Sequence, residues 1–199
     1  MDTTNKARQR GRPRRFNPDE GIAMAQNLFH AHGYDAVSVS DITEALGINP
    51  PSFYAAFGNK AELYARVLER YSRTNGIPLS EILRPDRPVA EALTALLEEA
   101  VRRYAATPET GGCLVLEGMR CNDATAREVA RCINTAAEDL LHDYIAARHP
   151  EQARALTDFI CTTLSGLSAK ARNGHSLEQL LATARLTGLA VTQSLAAEG

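Results

Sequence analysis

The chain has 199 residues, 44% hydrophobic and 23% charged, ordinary shares for a globular protein long enough to bury a real core in one domain or two small ones. No apolar run reaches the ~18 residues needed to cross a bilayer, and the arginine-rich start lacks the apolar stretch of a secretory signal, so a cytoplasmic protein is expected. The net charge of −2 conceals an asymmetry: residues 1–15 carry +5 and the remainder −7, a basic end on an acidic body that points to a local nucleic-acid contact.

Residues 1–14 read as a basic arm, KARQRGRPR from Lys6 to its end, polar, without apolar periodicity and punctuated by Gly11 and Pro13. The helical patterns begin at Asn17, a cap followed by Pro18 and Glu20; Ile22, Ala25, Leu28, Phe29 and His32 follow at helical spacing, and Gly33 stops the run. A second helix is predicted from Ser40 as cap, through Ile42, Ala45 and Leu46, to Gly47. Asn49 caps a third, with Pro50 and Pro51 in its first turn, where missing backbone donors cost little. Phe53 and Phe57, four apart, share its inner face and leave Ser52 and Tyr54 outside; Gly58 closes it. Asn59 with Glu62 opens a fourth, bearing Leu63, Val67, Leu68 and Tyr71. Helices this short cannot bury themselves alone, so the four must form one bundle.

Beyond Gly76 the texture changes. Pro78, Pro85 and Pro88 mark a connection, and helical patterns follow over 89–106, 112–121, 124–147, 152–171 and 177–197. No period-two alternation appears, so the fold class is all-α, divided near residue 76. The four cysteines, Cys113, Cys121, Cys132 and Cys161, lack metal-ligand spacing. No cofactor motif, metal cluster or catalytic signature is present. Cys113 with His142, His149 or His175 is suggested as an enzyme centre by residue type alone, and the chain is not expected to be an enzyme.

Two short helices joined by a tight turn, the second anchored by aromatics and outwardly small and polar, suit insertion into a DNA major groove. The pattern alone also fits an ordinary small helical core. The segment DITEALGINPPSFYAAFGNKAELY resembles the helix-turn-helix of the TetR/AcrR family of transcriptional regulators. The likeness lies in the apolar-small-small-apolar turn of the second helix, Gly47, Tyr54, Phe57-Gly58, Lys60 and Leu63. It implies a DNA-binding domain over 15–75 and an effector-binding and dimerisation domain over 76–199. It also implies that Tyr54 and Lys60 contact the phosphate backbone, that Ser40 and Thr43 lie near DNA, and that residues 50–54 enter the major groove. Pro50-Pro51 departs from the pattern of many relatives. Two prolines cannot hydrogen-bond bases, which shifts readout towards Ser52, Tyr54 and contacts with thymine methyls.

The arm's Arg10-Gly11-Arg12-Pro13-Arg14 resembles the core of an AT-hook. Arginines on an extended backbone suit a narrow, electronegative minor groove, which makes Arg10, Arg12 and Arg14 candidate DNA contacts. A solvated tail adding non-specific affinity is the plainer reading, and an A·T-preferring architectural binder driven by the arm alone is a further alternative.

In the C-terminal half, the resemblance implies that the last two long helices pair with their copies in a homodimer. Leu156, Phe159, Ile160, Thr163, Leu164 and Leu167 make one apolar face, and Leu177, Leu180, Leu181, Ala184, Gly188 and Val191 another. Candidate pocket residues are Leu97, Val101, Tyr104, Cys113, Leu116, Met119, Tyr144 and Phe159, and the scarcity of charge on the inner faces leans towards an apolar or neutral effector. Gly111-Gly112-Cys113-Leu114 resembles a segment of a TetR-type subgroup with thiol sensors. A cysteine just inside a helix start, with two glycines leaving access, is a candidate for a lowered pKa, with Cys121 two turns further along the same face. A plain buried core residue is the competing reading. The expected function is a homodimeric regulator, a repressor released from its operator by a small-molecule effector; a thiol sensor acting through Cys113 is the alternative.

Overall fold

A computed structural model describes residues 17–196. The described residues form ten α-helices: α1 Pro18–His32, α2 Val39–Leu46, α3 Pro50–Phe57, α4 Lys60–Thr74, α5 Leu79–Ile82, α6 Val89–Tyr104, α7 Leu114–Gly118, α8 Ala124–Ala146, α9 Ala153–Arg172 and α10 Leu177–Ala196. A 3-10 turn, Pro108–Thr110, precedes α7, and there is no strand among the described residues.

Local cap chemistry sets most boundaries. Asn17 accepts from the Asp19 amide at 3.0 Å, Asn49 from Ser52 at 2.9 Å and Asn59 from Glu62 at 2.9 Å. The start of α2 corrects the sequence reading. Ser38, not Ser40, is the cap: its hydroxyl accepts from the Asp41 amide at 3.1 Å while its own amide donates to the Asp41 carboxylate at 2.7 Å. Asp41 stands three residues after Ser38, so the reciprocal pair forms there, whereas Thr43 in the same relation to Ser40 offers no carboxylate.

Around α1–α4 the core is aromatic. Phe29, Phe53, Leu63 and Tyr64 are fully buried, and the Phe29 ring meets Tyr64 edge-on at 5.0 Å and stacks on Tyr34 at 5.7 Å. This core is completed from the other half of the chain, by Leu114 and Val115 of α7, Cys121, and Ala126 and Ala130 of α8. The second core joins α6, α9, α10 and the end of α8. Helices α6 and α10 approach closely because position 188 is glycine: a Cβ there would sit 2.9 Å from the Thr94 methyl.

The faces of α9 and α10 divide differently from the sequence stripes. Leu156, Ile160 and Leu167, with Leu180, Ala184 and Val191, turn into the second core. Outside remain Phe159 and Leu177, with Leu186 and Leu189 more than two-thirds exposed at 68% and 67%.

Candidate nucleic-acid interface and ligand cavity

Helix α3 is held by Phe53 and Phe57, which are buried against the first core 5.6 Å apart, centroid to centroid. That anchoring turns Pro50, Pro51, Ser52 and Tyr54 to the surface. Tyr54 is 54% exposed, its ring edge-on to Phe53 at 5.3 Å. Ser40 is also exposed. Thr43 is buried, and its hydroxyl donates to the Ser40 carbonyl at 2.9 Å, so its side chain belongs to the α2 packing. Lys60 is half-buried at the start of α4, with its ammonium 4.0 Å from the Tyr34 ring centroid. Burial lowers its pKa, and the carboxylates of Asp35, Asp123 and Asp41 oppose that shift. The arm residues Arg10, Arg12 and Arg14 lie outside the described residues.

Behind this face, several polar contacts tie the halves together. Tyr34 donates to Asp123 at 3.1 Å, and that carboxylate also caps α8 through the Ala126 amide. His30, near the end of α1, is buried with Nε2 at 3.1 Å from the Gly112 carbonyl, which makes that nitrogen the donor. Both terminal nitrogens of Arg172 donate to the His30 carbonyl at 3.2 Å. Its Nε lies 3.4 Å from the Glu117 carboxylate, close enough to pair charges though not aligned as a hydrogen bond. Sequence reading passed over His30 because it shares a helix face with ordinary core residues.

A cavity of about 270 Å³ opens between α4, α6, α7, α8 and α9. Four of the sequence candidates line it: Tyr104, Cys113, Leu116 and Met119. The other four do not. Leu97 and Val101 are fully buried in the second core, because the neighbouring Leu96 takes the cavity side of α6. Tyr144 donates its hydroxyl to the Arg87 carbonyl at 2.7 Å, and Phe159 points to the surface. Missed lining residues include Tyr71, Asn134, Glu138 and Cys161. Glu138 also qualifies the expectation of uncharged walls. A signal for it existed: Ile133, Asn134, Ala137, Glu138 and Leu141 form one helical stripe, in which an amide and a carboxylate interrupt apolar residues.

Cys113 is not inside a helix; it is the cap residue of the five-residue α7. Its amide donates to the Ser168 hydroxyl at 2.9 Å. The preceding glycines give no access. They are buried against α9, where a Cβ on Gly111 or Gly112 would lie 2.8 Å from the carbonyl of Ala171 or Ser168. Burial raises the Cys113 pKa, the opposite direction to the lowering expected at a helix start. Cys121 lies beyond the end of α7 in the first core, its sulfur 3.5 Å from the Asp123 carbonyl, and shares no helix with Cys113. Among the described residues no three His, Cys, Asp or Glu side chains converge on a metal site, and no helix is long and apolar enough to cross a membrane.

An all-helical body carrying a helix-turn-helix with an exposed, aromatic-anchored second helix defines a DNA-binding transcriptional regulator. The family model for bacterial regulatory proteins of the tetR family matches residues 22–67. The chain is 54% identical over 191 residues to the HTH-type transcriptional repressor BdcR of Escherichia coli (strain K12), covering 96% of this chain and 97% of that one. It is 28% identical to the repressor ComR of the same organism, covering 90% and 91%. A solved structure of a cysteine mutant of the TetR family regulator CifR, in complex with a 26-base-pair operator duplex, superimposes with a TM-score of 0.81 at 28% identity, covering 90% of this chain and 99% of that one. The chain belongs to the TetR family of transcriptional regulators, a family of regulators and not of enzymes.

Proposed function

We propose that the protein is a homodimeric repressor, acting in the cytoplasm, that holds an operator through α3 and lets go when a small molecule fills the cavity. The observation that carries the reading is the outward face of α3, where Pro50, Pro51, Ser52 and Tyr54 stand exposed on a helix pinned from behind by Phe53 and Phe57. Its near full-length likeness to a named repressor supports the sign of regulation. Readout then rests on Ser52, on apolar contact between the prolines and thymine methyls, and on phosphate contacts from Tyr54 and Lys60. Arg10, Arg12 and Arg14 would add minor-groove contacts.

Two recognition helices must reach successive major grooves, about 34 Å apart, which requires a dimer. The exposed Phe159, Leu186 and Leu189 supply an apolar surface for one. Filling the cavity would move α7, which packs on the first core, and so change the separation of the two α3 helices.

Binding of genomic fragments carrying the operator tests the reading. Tyr54→Phe should lower operator affinity by about 1 kcal/mol, roughly fivefold, through loss of a hydroxyl contact to phosphate. It should leave thermal stability unchanged, because the ring stays in place. Operator affinity equal to that of the unaltered protein would remove Tyr54 from the interface.

A further inference from the structure

Four glutamates are half-buried among the described residues. Three of them face an arginine: Glu98 pairs with Arg102 at 2.8 Å and Arg185 at 3.1 Å, Glu99 with Arg103 at 2.7 Å, and Glu117 with Arg172 at 3.4 Å. Glu138 is the exception. It lines the cavity on α8, accepts from the Asn134 amide at 2.9 Å, and makes no ion pair with any described residue. No lysine, arginine or histidine lines the cavity beside it.

The carboxylate is felt inside. The Cys161 thiol, across the cavity on α9, is pushed up to about 12, first by burial and then by the charge of Glu138 and a hydrogen bond to it. A partly desolvated carboxylate with only neutral donors around it is an unfinished charge pair. The rest of the wall is mainly apolar, including Leu96, Leu116, Met119 and Leu164, and Tyr71 and Tyr104 also line it.

We propose that the cavity selects a small amine in its protonated form, with the ammonium directed at Glu138 and the apolar body among Leu96, Leu116, Met119 and Leu164. The proposal rests on the reading of this cavity as the effector site and names the chemistry of its ligand. A carboxylate or phosphate ligand is excluded by the same charge, since no cation on the wall would receive it. The volume of about 270 Å³ equals that of roughly nine water molecules, so the ligand is a small one of about nine non-hydrogen atoms.

Three probes of nearly one shape and different charge test the proposal: 2-phenylethylammonium, 2-phenylethanol and phenylacetate. Each is titrated calorimetrically into the full-length protein at neutral pH. The ammonium should bind about tenfold or more tightly than the alcohol, and phenylacetate should not bind. Glu138→Gln should bring the ammonium to the level of the alcohol while leaving the alcohol within about twofold of its original affinity. Ala137→Phe, which fills the cavity, should abolish binding of both.

An ammonium that binds no better than the alcohol overturns the proposal, as does a preference that survives Glu138→Gln. The order of the probes on the unaltered protein decides by itself should that variant be unstable. Alcohol binding that is lost in Ala137→Phe, without any preference for the ammonium, leaves the cavity as an effector site and removes only the amine. If none of the three binds, or if Ala137→Phe changes nothing, both readings fall.

Discussion

His30 is the most constrained polar residue between the two halves. Its ring is buried, donates to the Gly112 carbonyl and meets the Tyr71 ring edge-on at 5.3 Å. Burial above all, with Arg172 nearby, lowers its pKa below the ordinary 6.5, while the bond to Gly112 pulls the other way. The unfolded chain therefore takes up a proton that the folded chain refuses. Stability from the neutral ring is complete above the ordinary value and is lost as pH falls beneath it, towards the lowered one. A His30→Gln variant keeps a donor for Gly112 without titrating. Between about pH 7 and about pH 5 its melting temperature should fall less steeply than that of the unaltered protein. Parallel curves would show that His30 takes no part in acid sensitivity.

At the scale of single elements, α2 separates two readings that differ by two residues. Ser38→Ala should cost about 1 kcal/mol of stability, because an amide at the helix start loses its acceptor. Ser40→Ala, on the exposed face inside the helix, should stay within about 0.5 kcal/mol. Chemical denaturation of both variants measures the difference, and equal costs would contradict the cap.

The case also shows where sequence reading succeeds. Asn17, Asn49, Asn59 and the Phe53–Phe57 pair were legible because their partners lie within four residues, so local chemistry decides. Ser38 and Ser40 compete for one role, and only the carboxylate at position 41 ranks them. The cavity wall was half legible. Leu96 and Leu97 are neighbours on one apolar stripe, and which of them meets the void depends on where α7, α8 and α9 cross it, a long-range fact absent from α6. Cys113 misled for the same reason. Its surroundings are built by Gly111 and Gly112 pressing on α9, some 55 residues away along the chain.

For the molecule as a whole, assembly is the quantity to measure. Leu186 and Leu189 are the most exposed of the large apolar residues on α10, one turn apart. A Leu186→Glu, Leu189→Glu double variant should leave the fold intact, since neither side chain enters a core. It should sediment as a monomer and lose operator affinity by at least 100-fold, because each half-site would then be bound separately. A double variant that stays dimeric would move the interface elsewhere.

Helix α7 serves two masters within five residues: Leu114 and Val115 complete the core beneath the DNA-reading helices, and Leu116 with the adjoining Met119 borders the cavity. Anyone retuning this protein as a biosensor inherits that division. Substitutions on α7 aimed at a new inducer will also disturb the platform that grips the operator, raising background expression. The opposite wall, at Ala137 and Leu164, borders the cavity without packing on that first core. Libraries confined to that wall should yield altered responses with tight shut-off preserved.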